Sequence, residues 1–184
     1  GMISGKRGIG TYEMKKLLTS PSGYGSTMNS GDVYFDAGED AKDTALKYIF
    51  QGGGGMKNTG KAGRGYILNI DAPESLVDRP DFLTDLGPKS AKFAEQLRQE
   101  TSFRTVNKLN PDLVASYQRV VPDPLGPITY PSGARVSRPP IIGKEKPLNP
   151  LLERYAKFTS FLKSKGYAEG GQVFGGIPGE DSVN

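Results

Sequence analysis

The sequence predicts an α+β fold: a short-stranded mixed or antiparallel sheet with peripheral helices and a C-terminal amphipathic helix. Three observations predict it. DVYFDA (32–37), YILNI (66–70) and SYQRVV (116–121) are brief apolar runs of strand character. Between and beyond them lie segments whose apolar residues recur at helical spacing. Finally, 25 glycines, 14 prolines and only 35% hydrophobic residues in 184 positions limit the core and require many turns.

TYEMKKLL (11–18) reads as a short helix, with Thr11 as N-cap, Glu13 in the electropositive first turn, and Met14, Leu17 and Leu18 on one face. SPSGYGSTMNSG (20–31) has the chemistry of a loop. The strand 32–37 follows, with Val33 and Phe35 on one side and Tyr34 on the other. Glu39 and Asp40 then open a helix through about Phe50, and QGGGGMKNTGKAGRG (51–65) leads into the strand 66–70. Segment 71–87 is irregular, and Pro88 suits the first turn of a helix ending near Glu100. Asn110-Pro111 caps a single turn ahead of the strand 116–121.

From Pro122 to Pro150 prolines recur every few residues, which predicts extended connection rather than packed structure. Asn149-Pro150 begins the strongest helix, whose apolar stripe is Leu151, Leu152, Tyr155, Phe158, Phe161 and Leu162, with Gly166 at its end. The expected organisation is an α+β domain over 1–130, a Pro-rich connector over 131–148, an amphipathic helix over 149–167 and a Gly-rich tail over 168–184. Ahead of residue 11, KRGIGT shows scarcely any strand.

Composition excludes several chemistries. Without cysteine there is no disulfide, thiolate nucleophile or Cys-based metal site; without histidine there is no Ser-His or Cys-His catalysis and no His-zinc centre. No metal is expected. No apolar run approaches the roughly 18 residues of a membrane-crossing helix, and the N-terminus lacks a signal-peptide core, so no membrane partner is expected. The net charge of +4 is spread along the chain in pairs such as Lys6-Arg7 and Lys15-Lys16. A nucleic-acid footprint wants a basic stripe with interleaved aromatics, so a solvated face is favoured over DNA or RNA contact.

The glycine clusters do not make a phosphate loop of known type. GGGG (52–55) lacks a strand directly before it, a helix after it and a following Lys-Ser/Thr. Gly8-Ile9-Gly10-Thr11, just ahead of a helix, is better placed to meet an anion. Among the acids, Asp36, Glu39, Asp40 and Asp123 fall at strand ends or helix starts, where dipole partnership is the ordinary role.

The most informative stretch is STMNSGDVYFDAGEDAKDTALKYI (26–49): a polar loop with Gly31, a strand bearing Tyr34 and Phe35, then a helix with Ala41 and Tyr48. It resembles the second motif of the ADP-ribosyltransferase superfamily, in its poly(ADP-ribose)-polymerase-like branch. GYILNIDAPESLVD (65–78) looks like that family's next strand and acidic loop, and SYQRVVPDPLGPI (116–128) is similar to its final catalytic strand. The resemblance spans roughly 6–128. It implies that NAD is bound as a substrate, with Tyr34 stacked on the nicotinamide, Ser26 and Thr27 as loop donors and Arg7 as the adenylate or ribose anchor.

Gln118 falls where the family carries its glutamate. A carboxylate steadies the positive charge that grows as the nicotinamide–ribose bond breaks, whereas a neutral amide offers only a dipole, so weak or absent transfer is expected and enzyme status stays open. The final segment YAEGGQVFGGIPGEDSVN resembles Gly-rich stretches of multidomain and tape-measure-like tailed-phage virion proteins. That resemblance implies a segment of a larger phage protein in the virion or host cytoplasm, acting on a host target or touching neighbouring virion subunits. Two readings follow: a degenerate NAD-binding ADP-ribosyltransferase-like domain, or a non-catalytic interaction module whose C-terminal helix docks a partner.

Overall fold

The computed structural model describes residues 1–20, 22–25, 32–50, 64–80 and 102–166. Its strands are β1 (Met2–Ile9), β2 (Val33–Asp36), β3 (Gly65–Pro73), β4 (Phe103–Val106) and β5 (Val114–Val121), followed by the two-residue strands β6 (Ile128–Thr129), β7 (Arg135–Val136), β8 (Ile141–Ile142) and β9 (Lys146–Pro147). The helices are α1 (Thr11–Thr19), α2 (Ala41–Phe50) and α3 (Leu148–Ser164). The fold is α+β. Its principal sheet has seven strands in the order β4-β2-β1-β3-β5-β8, with β9 also paired to β5, and each of these pairings is antiparallel.

Two expectations required correction. Residues 2–9 form a central strand, paired along its whole length with β3. Glycine here reflects close packing: a Cβ on Gly8 would meet the carbonyl oxygen of Ala45 in α2 at 2.0 Å, and one on Gly5 would meet the Asp36 carbonyl oxygen at 2.5 Å. The proline-rich stretch also does more than connect, since β8 and β9 both pair onto β5 and bring 141–147 against the sheet. The expected helix over 88–100, the glycine run 51–63 and the tail 168–184 lie outside the described residues.

The sheet is packed on both faces. On one, α1 supplies Met14, Leu17 and Leu18 and α3 supplies Leu148, Leu151 and Tyr155 to a core with Ile9, Val33, Phe35, Leu68, Ile70 and Tyr117. On the other, α2 places Ala45 and Ile49 over Ile67 and Val120 in a much smaller cluster. Burial of Leu151 and Tyr155, 0% and 6% exposed, shows that this stripe seals the fold; Phe161, farther along α3, is 54% exposed.

Candidate functional site

Strand alternation sorts the candidate residues onto faces. Lys6 pairs with Asp36 on one side and Asn69 on the other, and Asn69 pairs with Ser116. Cross-strand partners share a face, so Asp36, Lys6, Asn69 and Ser116 form a polar row on the α2 side. Tyr34 lies two residues before Asp36 and Gln118 two after Ser116, so both point to that same side. Three strand spacings separate β2 from β5, about 14 Å, and α2 packs over the intervening Gly8 and Ile67. Tyr34 and Gln118 therefore share a face and flank the helix without meeting. The Gln118 amide donates to the Gly143 carbonyl at 3.3 Å.

Arg7 faces the opposite way, beside Leu68 and toward α1. Its Nη1 donates to the Tyr34 carbonyl at 2.8 Å, and its Nη2 lies 3.7 Å from Glu13 Oε1. Only 15% of the Arg7 side chain and 4% of the Glu13 side chain are exposed. Tyr24 donates its hydroxyl to Glu13 Oε1 at 2.6 Å, while the Gly10 N–H reaches Glu13 Oε2 at 3.4 Å. Burial, then the adjoining Glu13 carboxylate, push the Tyr24 hydroxyl well above its ordinary range, so it remains a donor. Arg7 Nε is buried and makes no hydrogen bond. The structure thus joins Arg7 to the backbone of Tyr34, and Arg7 is engaged by the protein itself. Ser26 and Thr27 lie outside the described residues.

The α2 side holds polar groups that no sequence motif singled out. A cleft of about 320 Å³ opens at the N-terminal end of α2, lined by Lys6, Asn69, Asp71 and Glu145 among others. Lys6 Nζ donates to Asn69 Oδ1, Asn69 Nδ2 donates to Ser116 Oγ at 2.9 Å, and Ser116 Oγ donates to a Glu145 oxygen. A bulge between Asn69 and Ile70, where the β5 register steps from Ser116 to Val114, places Ala115 in the lining. Asp36 lies at one end of the same row. Burial pushes its carboxyl up, but hydrogen bonds from Ser102, the Gly38 N–H and Thr44, with Arg104 nearby, outweigh this and hold it below the ordinary value. One signal in the sequence marked this face: Asn69 is the polar residue inside the apolar run YILNI.

Among the described residues no group of three or more His, Cys, Asp or Glu is gathered as metal ligands, and no helix is long and apolar enough to cross a membrane. No family model matches the sequence, and no curated protein matches it. A solved structure named EcPltA superposes with a TM-score of 0.37 and 13% identity, covering 76% of this chain and 85% of that one. A likeness of that size assigns no activity.

Proposed function

We propose that the chain is an NAD-binding, ADP-ribosyltransferase-like domain, weakened in or lacking transfer because glutamine replaces the family's glutamate, and that it derives from a phage multidomain protein. The observation that carries this reading is the placement of Tyr34 and Gln118 on one face of an antiparallel sheet. Residues on opposite faces could not have served one ligand. The motif order supports the reading too, since its segments fall on β1, β2, β3 and β5 of that sheet. Tyr34 supplies a flat aromatic surface for a nicotinamide ring. Arg7, held against the Tyr34 carbonyl from the opposite face, anchors the backbone behind that ring. No resident metal is invoked; NAD is the substrate, and a host protein is the proposed acceptor if transfer occurs.

The second reading, a non-catalytic virion interaction module, is favoured by one observation: Phe161 is exposed near the end of α3. Its docking surface is restricted, because Leu151 and Tyr155 of the same stripe are buried in the core.

Calorimetric titration of NAD into the whole chain, with Tyr34→Ala in parallel, tests the first reading. Saturable binding that Tyr34→Ala abolishes is the expected result. Absence of binding at millimolar NAD would leave the interaction module as the function.

A further inference from the structure

We infer that the outer edge of β7 is a docking site for an extended segment of a partner protein in which acidic and apolar residues alternate, added to the β6–β7 hairpin as a third strand. The inference is separate from the NAD reading, because neither strand of the hairpin belongs to the principal sheet.

The turn sets the register of the hairpin. Pro131, Ser132 and Gly133 connect its strands, with Gly133 at φ 85°, in the left-handed region that favours glycine. The Gly133 N–H donates to the Tyr130 carbonyl at 2.9 Å, and the Tyr130 N–H donates to the Ala134 carbonyl at 2.9 Å. Thr129 then lies across from Arg135, and Ile128 across from Val136. In an antiparallel pair, residues that hydrogen-bond each other alternate with residues whose backbone groups point away from the partner strand. Tyr130 and Ala134 are a pair of the first kind, so Arg135 turns its own N–H and C=O toward the outer edge of β7. That edge is open, because the hairpin forms a sheet of two strands.

The two faces of the hairpin differ. Ile128, Tyr130 and Val136 share one face, and Thr129 and Arg135 the other. Among the described residues, neither strand contributes to the apolar clusters beneath the helices, and Tyr130 and Val136 are 47% and 49% exposed. A two-stranded hairpin alone is marginal in water, so a further strand that covers this apolar face stabilises it.

Charge selects the occupant. Residues 124–144 carry Arg135, Arg138 and Lys144 and no acid, and Arg135 is exposed. Repulsion between like charges disfavours a second copy of the hairpin at the same edge. A strand laid along β7 puts the residue opposite Arg135 on the polar face and its neighbours on the apolar face beside Val136. Glutamate or aspartate suits the first position and β-branched residues suit the others. Backbone hydrogen bonds to Arg135 supply the attachment, and the alternation supplies the selectivity. Pro139 and Pro140 end the usable edge, so the segment recognised is short.

The test is an NMR titration of the whole chain, following backbone amides. The probes are a short synthetic peptide alternating valine and glutamate, its valine–lysine counterpart and a single-stranded oligonucleotide. The expected result is saturable shifts at Arg135, Val136 and Ser137 with the glutamate peptide alone, and slower hydrogen exchange at the Arg135 amide. Arg135→Glu should bind that peptide about tenfold more weakly and prefer the lysine peptide. Lys157→Glu, which reverses an exposed charge on α3, should bind as wild type does. Absence of saturable shifts at millimolar glutamate peptide would overturn the inference, as would equal losses in Arg135→Glu and Lys157→Glu. Shifts of the same amides with the oligonucleotide but not with the peptide would overturn it in favour of phosphate contact.

Discussion

The two faces of the central sheet are built on different principles. Toward α1 and α3 the strands present Ile9, Val33, Phe35, Leu68 and Tyr117, and both helices bury leucines against them. Toward α2 the apolar cluster is reduced to Ala45, Ile49, Ile67 and Val120, while the neighbouring row holds Asp36, Lys6, Asn69 and Ser116. Burying apolar area stabilises a domain, whereas a polar row that satisfies itself contributes little net stability but fixes the positions of its groups. Stability is thus concentrated on the first face, and the proposed recognition falls on the second. The charged groups follow this division too: the Arg7–Glu13–Tyr24 cluster on the α1 side is enclosed, while the Lys6–Glu145 relay opens onto a cleft.

The largest effect is expected from Leu151→Ala, which removes a fully buried side chain between α3 and the sheet. Denaturant unfolding should show a loss of about 2–5 kcal/mol. A loss below 1 kcal/mol would show that α3 is not part of the core. Next is Glu13→Ala, which leaves the Arg7 guanidinium without its carboxylate and the Tyr24 hydroxyl without its acceptor. Its cost should be about 3 kcal/mol, and adding Tyr24→Phe should cost clearly less than the sum of the two separate changes. Strict additivity would mean that the cluster does not act as a unit.

Gly8→Ala probes the seat of α2 on the second face. Its methyl group would run into the Ala45 carbonyl, so α2 must shift, at a cost of about 1–3 kcal/mol. Hydrogen exchange should show faster opening of α2 than of α1, and equal acceleration would argue against local displacement.

The smallest effect concerns Asp36. Its folded carboxyl is held below the unfolded value of about 3.9. The associated stability is therefore present above about pH 4 and disappears as the pH falls through the folded value. Asp36→Asn should be less stable than wild type at neutral pH, with the difference shrinking in acid. A difference constant with pH would show that hydrogen-bond geometry rather than charge carries the contribution.

Much of the first face was legible in the sequence, because apolar periodicity reports burial. Met14, Leu17 and Leu18 marked α1, and Leu151 and Tyr155 marked α3. Asn110 caps the turn at Pro111–Leu113 as expected, accepting from the Asp112 N–H. Strand β1 was hidden because Gly5 and Gly8 interrupt the apolar alternation, and the reason for them is a close approach from elements far along the chain. The two-residue strands β8 and β9 were hidden for a related reason: pairing to β5, rather than local preference, holds them in place.

The site divides in the same way. Tyr34 and Gln118 could be named from local motifs, and their common face follows once the register is known. Glu145 could not be named, because its place beside Ser116 depends on the path taken after β8. Arg7 lies on β1, the strand that was missed, so its engagement by Glu13 and the Tyr34 carbonyl had no trace in the sequence.

The most direct test of the division between faces is an NMR titration of the whole chain with NAD, following backbone amide shifts. The account predicts saturable changes at Tyr34 and Gln118, with Met14, Leu17 and Leu151 unmoved. Changes centred on α1 and α3, or none at millimolar NAD, would contradict it.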